Sequence, residues 1–388
     1  MAARAKIDPL ELARALIRCP SVTPVDAGAL GVLEGALIPL GFKCRRMPYT
    51  EAGTPDVDNL YAKVGAGAPN FCFAGHTDVV PVGDKSGWTM DPFAAEVRDG
   101  RLWGRGASDM KGAIAAFAAA AARYIGENDG KIPGAISFLV TGDEEGPSIN
   151  GTAKVLKTLA AEGEKIDACL VGEPTSPKVF GEMAKIGRRG SLNATLAVHG
   201  VQGHAAYPEA TDNPIPRLLK MLGAIADTPL DSGSAHFQPS AVAITSIDVG
   251  NPATNVTPAQ AQARFNVRFN DRHSGDSLKK LLAERCRAVG GKFDLSLHVT
   301  GEPFVVPPGP LSKLVVDAIR EVTGRAPELS THGGTSDARF IRNYCPVVEF
   351  GGVNATSHKV DEWMAVEDLV RLTEIYYLIL RRFFAPRR

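Results

Sequence analysis

Histidines and carboxylates stand repeatedly where an apolar stretch gives way to a polar loop. His76 and Asp78 follow the run that ends near Ala74. Glu144 and Glu145 follow the run that ends near Thr141, and Glu173 follows the one ending at Val171. His358 comes after the run ending near Phe350 and a Gly-Gly pair, while Asp109 sits after Trp103-Gly-Arg-Gly-Ala-Ser and before an Ala-dense segment. If the apolar runs are parallel strands, the loops after them collect at one carboxyl edge, where ligands bind. Two histidines and at least three carboxylates meeting there form a metal site of imidazole and carboxylate donors. Such donors suit zinc, with cobalt or manganese as substitutes. A carboxylate shared between two ions would give a centre that activates water and polarises a carbonyl together. Glu144 and Glu145 can then divide the work in a turn, one binding metal and the other acting as general base.

Each residue alone has a plainer explanation. A single His76 is a satisfied core histidine, Glu144-Glu145 is a solvated pair, and an Asp before a helix, like Asp109, is an N-cap. His199, His236, His273, His298 and His332 receive no metal role. Gly65-x-Gly67 precedes a strand and is no dinucleotide loop. Asn193-Ala-Thr and Asn255-Val-Thr match glycosylation acceptors and mean nothing without a secretion signal.

The elements that would position these groups alternate. Helical patterns cover residues 10–18, 28–39, 111–125 and 151–162. Strand patterns cover 58–64, 70–75, 136–140 and 168–171. That order predicts an α/β domain with a mostly parallel sheet. The middle of the chain reads as strand 192–198, helix 214–226, strands 240–249 and 264–270, helix 274–289 and strand 293–298. This β-α-β-β-α-β order is that of a ferredoxin-like α+β unit with one sheet face open. In 264–270, Phe265, Val267 and Phe269 share one face, and Arg264, Asn266 and Arg268 the other. After a Pro-rich hinge at 302–310 come a helix over 311–323, a strand over 347–350 and a helix over 366–383. The expected arrangement is a discontinuous catalytic domain, 1–187 and 303–388, with a smaller domain at 188–302 inserted.

The 388 residues favour two domains. Lys plus Arg and Asp plus Glu number 43 each, so the net charge is zero. Neutrality gives no case for nucleic acid or an anionic membrane as partner. The run 113–122 falls short of the roughly 18 apolar residues that span a bilayer. Arg4 and Lys6 are followed at once by Asp8 and Pro9, which reads as a helix cap and not a signal peptide. The Arg-rich end, 381–388, reads as a solvated terminus. The cysteines form no CxxC pair, and Cys72 and Cys169 lie in apolar strands, as buried thiols in a reducing cytoplasm do.

The segments Gly75-His-Thr-Asp-Val-Val-Pro, Gly104-Arg-Gly-Ala-Ser-Asp-Met-Lys-Gly, Thr141-Gly-Asp-Glu-Glu-Gly and Val171-Gly-Glu-Pro-Thr resemble the co-catalytic zinc aminoacylase and peptidase superfamily. A narrower resemblance, to its branch acting on N-succinyl-L,L-diaminopimelate, rests on five segments. These are Arg18-Cys-Pro-Ser-Val-Thr-Pro, Gly187-Arg-Arg-Gly-Ser, Gly203-His-Ala-Ala-Tyr-Pro, Gly333-Gly-Thr-Ser-Asp-Ala-Arg-Phe and Ser357-His-Lys-Val-Asp-Glu. The resemblance implies two zinc ions per chain, with cobalt able to substitute. His76 and Glu173 would hold one, Glu145 and His358 the other, and Asp109 would bridge them. Asp78 would hydrogen-bond His76 and fix its tautomer. Glu144 would be the general base, and His204, from a partner subunit, would stabilise the oxyanion. Arg188, Ser191, Tyr207, Asn255, Arg268, Gly334 and Thr335 match substrate-binding positions. One departure is Thr254, where the branch often has Asn. A lid role for the inserted domain 188–302, a homodimer through it and a role in lysine and diaminopimelate synthesis are implied by the same resemblance. The rivals are a sister deacylase acting on acetylornithine, a peptidase and a catalytically dead binding protein. The arginines suit a succinyl carboxylate and favour the first reading.

Overall fold

The computed structural model describes residues 6–386, so Arg4, Arg387 and Arg388 lie outside the described residues. It divides into two compact units, Met1–Ile186 with Val306–Ser330 and Ser336–Arg388, and Gly187–Val305 with Thr331–Thr335. Among the described residues no helix is long and apolar enough to cross a membrane.

The first unit is built on an eight-stranded sheet. Its order is Lys43–Arg46, Leu60–Gly65, Ala135–Thr141, Asn70–His76, Ala168–Val171, Val347–Glu349, Met183–Lys185 and Glu328–Ser330. The four strands from Ala135–Thr141 to Val347–Glu349 run parallel. Those from Ala135 and Asn70 are buried at every position, as central parallel strands covered on both faces must be. The helix Gly112–Glu127 packs on this sheet with its Ala113–Ala122 stretch buried almost throughout. Alanine at nearly every position lets it pack closely between the sheet and the helices Pro9–Ile17 and Val366–Phe383. Phe117 projects from it to stack on Phe73 at 4.5 Å and meet Phe138 edge-on at 5.1 Å. The first helix begins as its sequence implies: Asp8 accepts a hydrogen bond from Leu10 N–H at 2.8 Å, with Pro9 at the first position.

The second unit has a four-stranded antiparallel sheet, ordered Ala241–Asp248, Gln260–Phe269, Gly190–His199, Phe293–Gly301. The helices Pro214–Ala226 and Gly275–Val289 follow the first and third of these strands in chain order, giving the β-α-β-β-α-β succession. Leu192, Leu196, Phe265 and Val267 face Leu218, Leu222, Leu278 and Leu282 in one core. The alternate residues, such as Asn193 and Arg264, are exposed. The boundaries differ from the expected 188–302. Gly187 and Arg188 pair with Val305 and Phe304, which extends the unit at both ends. Thr331–Thr335 also joins it, because Thr331 Oγ1 donates to His236 O at 2.6 Å and Arg188 donates to Gly334 O at 3.1 Å. No apolar periodicity marks such a return, since polar contacts carry it.

Two glycines next to the predicted ligands are set by close packing. A Cβ at Gly75 would lie 2.4 Å from Met110 Cε, and one at Gly172 would lie 2.5 Å from Phe73 Cζ and 2.6 Å from Met110 Cε. Met110 thus plugs the space between the residues that precede His76 and Glu173, one position after Asp109. Phe73 cannot swing aside, because Phe117 stacks on it. Gly172→Ala should therefore destabilise the protein by about 1–3 kcal/mol, the usual effect of overpacking. Urea unfolding of the variant would measure it, and an unchanged midpoint would show that the Met110 plug yields freely.

Candidate metal centre

The carboxyl ends of the parallel strands bring the predicted residues together. His76 is the last residue of its strand, and Glu144, Glu145 and Glu173 follow theirs within a few positions. Asp109 comes from the turn Ala107–Lys111 that leads into the Ala-rich helix. His358 lies in the loop after Val347–Glu349 and takes a left-handed backbone, φ 64°, unusual for a residue with a Cβ.

His76 is buried, and its Nδ1–H donates to the main-chain carbonyl of Asp78 at 2.8 Å. A carbonyl only accepts, so the lone pair of the neutral ring sits on Nε2. That atom faces Asp109 Oδ1 at 3.3 Å and Glu173 Oε1 at 3.6 Å. His358 Nε2 faces Glu145 Oε1 at 2.8 Å and Asp109 Oδ2 at 3.3 Å. Asp109 therefore turns one oxygen toward each histidine. His76 Nε2 and Asp109 Oδ1 are both buried without a hydrogen-bond partner. Buried polar atoms are seldom left so, and a cation between them supplies what is missing. The donor atoms of His76, Asp109 and Glu145 lie within 4.8 Å of one another, as do those of His76, Glu144 and Glu173. The residues fit a metal centre of nitrogen and carboxylate oxygen donors.

The expected contact from the Asp78 side chain to His76 is corrected. Its nearest carboxylate oxygen is 3.7 Å from Nδ1, beyond a hydrogen bond. The main-chain carbonyl of the same residue orients the ring, and the carboxylate accepts from Glu145 N–H at 3.0 Å and Glu144 N–H at 3.3 Å. The turn between Thr141 and Glu145 exposes those N–H groups, and they outcompete the imidazole. Asp78 thus ties the His76 loop to the Glu144-Glu145 loop.

The electrostatics reflect crowded negative charge. Burial pushes Glu144 well above the ordinary carboxylate range, and Glu173 adds to it. Burial lifts Asp78 to about 6. Burial also opposes ionisation of Asp109, but the two imidazoles beside it outweigh this and hold it low. His358 is raised to about 10 by Asp109 and Glu145. Burial works against a proton on His76, yet Asp109, Glu144 and Asp78 together hold its pKa well above the usual value.

Several contributors escaped the sequence reading. Asp337 is buried and its pKa is raised by burial, and its charge raises that of Glu144. Asp143 Oδ2 accepts from Ile149 and Asn150 N–H at 2.8 and 2.9 Å, closing the Glu144-Glu145 loop. Lys111 is buried, donates to Cys19 O at 2.8 Å and is lowered by burial to about 8. Glu362 is fully buried and accepts from the N–H groups of Ser108 and Asp109 at 2.9 and 3.1 Å. All four stand inside the quoted motifs, which was the available signal.

The second unit gathers the remaining predicted residues into two groups. His204 pairs with Val256, and Asn255 O accepts from Ala205 N–H at 2.8 Å. The exposed Tyr207 ring lies 5.5 Å from that of His204. Ser191 stands opposite Arg268 across two strands, and Arg188 binds Gly334 O, next to Thr335. Arg189, next to Arg188, is half-buried with an unpartnered Nε, and its pKa is lowered by burial and by Arg268. Among the other histidines, His199 meets Asp294 at 2.7 Å and His273 meets Asp231 at 3.3 Å.

Residues 72–382 match the model of peptidase family M20/M25/M40. The chain belongs to that family. Curated relatives include the succinyl-diaminopimelate desuccinylase of Rhodospirillum centenum, 60% identical over 97% of this chain and 98% of that protein. The enzyme of the same name from Parvibaculum lavamentivorans is 58% identical over 98% and 96%. Among solved structures, an M20 metallo-carboxypeptidase from Sulfolobus solfataricus superposes with a TM-score of 0.78 at 17% identity, covering 96% of this chain and 98% of that one. A dinuclear metal-binding M20 peptidase from Bacillus subtilis gives 0.68 at 13% identity, covering 97% of each chain. These two structures establish the M20 fold for this chain.

The raised histidines have a consequence for metal loading. Metal needs neutral imidazole, whereas the carboxylates around His76 and His358 favour the protonated ring in the metal-free protein. Loading must expel them, so zinc affinity should fall as pH drops from 8 to 6. Calorimetric titration of zinc at pH 7 in buffers of different ionisation enthalpy should show net release of protons. A slope of zero against buffer enthalpy would refute it.

Proposed function

We propose that this M20 enzyme is a two-zinc amidohydrolase. It would convert N-succinyl-L,L-2,6-diaminopimelate and water to succinate and L,L-2,6-diaminopimelate, in the supply of lysine and meso-diaminopimelate. The supporting observation for the substrate is 60% identity over 97% of the chain to a relative of that name. The supporting observation for the chemistry is Asp109 facing both His76 and His358. His76 and Glu173 would hold one ion, Glu145 and His358 the other, and Asp109 both. When bound, the ions acidify water and polarise the scissile carbonyl. Cobalt shares these donor preferences and could substitute.

The chain's own residues do the rest. Glu144 takes a proton from the attacking water as the new C–O bond forms, then returns it to the departing amine as the amide C–N bond breaks. Its raised pKa suits a group that must carry the proton between those events. Asp78 holds Glu144 and Glu145 by their N–H groups. Arg188, Arg268, Ser191, Gly334 and Thr335 would bind the succinyl and amino-acid carboxylates, with Tyr207 and Asn255 beside His204. A bidentate guanidinium is the natural reader of a carboxylate.

His204 would stabilise the oxyanion in the site of a partner subunit, within a homodimer formed through the inserted unit. In support, the edge strand Ala241–Asp248 leaves Ile244 and Ile247 exposed, at 41% and 50%. An unpaired apolar edge of this kind is suited to meet a second copy. The free cysteines and neutral charge fit a cytoplasmic enzyme.

With zinc loaded, the enzyme should hydrolyse N-succinyl-L,L-diaminopimelate far faster than N-acetylornithine or dipeptides. Glu144→Gln should reduce that turnover by about 10²–10⁴-fold, the usual contribution of a general base, while elemental analysis still finds both ions. Preference for acetylornithine would replace the substrate proposed, and near-normal turnover in the variant would remove Glu144 as base.

Complementation tests His204. Glu144→Ala and His204→Ala should each be nearly inactive. In a mixed dimer one site recovers both groups if His204 acts across the interface. Random mixing makes half the dimers mixed, with half their sites whole, so co-expression should restore roughly a quarter of wild-type activity. No recovery would place His204 in its own chain's site or outside the reaction.

A further inference from the structure

Among the described residues, one buried ion pair touches several of the loops that carry the predicted metal ligands. Arg105 Nη1 donates to Glu362 Oε2 at 2.7 Å, and both side chains are buried, at 2% and 0% exposure. Glu362 Oε1 accepts the N–H groups of Ser108 and Asp109. The main-chain oxygen of Glu362 accepts Gly104 N–H at 2.9 Å. Arg105 Nη1 also donates to Lys359 O at 3.1 Å, beside His358, and Nη2 lies 3.4 Å from Pro81 O, on the loop that follows His76 and Asp78. Its guanidinium lies over the Trp88 ring at 5.2 Å.

A buried pair is a poor choice for stability alone. Taking two charges out of water costs several kcal/mol per ion, and well-packed apolar residues of the same volume often serve as well. An apolar pair could not do what this one does. The carboxylate accepts two adjacent N–H groups, and the planar fork reaches two carbonyls from separate loops while binding the carboxylate. The N–H of Asp109 is gripped directly, and His358 is gripped through its neighbour Lys359. The distances from Asp109 to the two imidazoles depend on where those loops stand.

We propose that the Arg105–Glu362 pair is the positioning element of the metal centre, setting the distance between Asp109 and His358 and hence the affinity for the ion they share. The proposal rests on the two-ion reading above. Neither residue is one of the predicted metal or substrate ligands. Glu362→Gln keeps the size and one acceptor oxygen but leaves Arg105 uncompensated. Arg105→Lys keeps the charge and the aliphatic stem but cannot reach Glu362 and both carbonyls at once.

The test is competition for zinc between the metal-free full-length protein and a chromophoric chelator. Partners behind the ligands typically contribute 10–100-fold to metal affinity. Glu362→Gln should lower affinity for the weaker zinc equivalent by that factor, with kcat reduced and KM unchanged. Arg105→Lys should give a smaller drop of the same kind, and it decides the matter if Glu362→Gln does not fold. Asn70→Ala is the control for a purely structural loss. Asn70 is buried at the far end of the His76 strand, where its side chain binds Lys165 O at 3.0 Å. It should lower the unfolding midpoint and leave both zinc affinities as they were. Folded variants of Glu362 or Arg105 that bind both equivalents with wild-type affinity would overturn the proposal. A wild-type protein that binds fewer than two would instead overturn the two-ion reading.

Discussion

Like charge, packed where water is scarce, is the constraint on which the rest of the large unit depends. Asp78, Asp109, Glu144, Glu145, Glu173 and Asp337 are gathered at one sheet edge with two imidazoles. Carboxylates brought this close repel one another and lose hydration, which is why Glu144 and Asp78 are pushed upward. Left alone, the edge would relieve itself by moving apart. It stays together because the loops carrying Asp78, Asp109, Glu144 and Glu145 are tied through their backbone N–H groups. Asp78 binds the N–H groups of its neighbours in space, Glu362 binds that of Asp109, and Asp143 closes the loop between them. These ties are the frame that keeps the donor atoms of His76, Asp109 and Glu145 within 4.8 Å of one another.

That frame explains features that have no other reason to be where they are. The parallel strands supply ends at a common level, and Gly75 and Gly172 admit Met110, the residue after Asp109. The Ala-rich helix brings Asp109 close to the sheet because it has so little side chain to hold it away. The sheet, the glycines and the alanines are parts of one solution to the placing of Asp109.

The sequence was legible where periodicity or motif spacing spoke. The buried runs 70–75, 136–140 and 168–171, the inserted β-α-β-β-α-β order and the placing of histidines and carboxylates at strand ends all came from such signals. Lys43–Arg46 was not visible, because an edge strand reading Lys-Cys-Arg-Arg has no apolar alternation to announce it. The short strands Val97–Arg98, Arg101–Trp103 and Trp363–Ala365, which pair in a small sheet of their own, were missed because two or three residues carry no period. The return of Thr331–Thr335 to the inserted unit was hidden because hydrogen bonds, and not apolar burial, hold it there.

The Asp78 correction shows what spacing can and cannot say. An acid two residues after a metal-binding histidine is close enough for its side chain to reach the ring, and chemistry alone favours that contact. Geometry decides otherwise. The strand ends at His76, the chain turns, and the carbonyl of Asp78 comes to Nδ1 first at 2.8 Å. A neutral carbonyl there fixes the tautomer without adding charge beside the imidazole. The carboxylate, freed from that task, takes two N–H groups that a neutral acceptor would hold less strongly. One residue thus orients the His76 ring with its main chain and steadies the Glu144-Glu145 loop with its side chain, so an Asp78→Asn change would spare the first role and weaken the second.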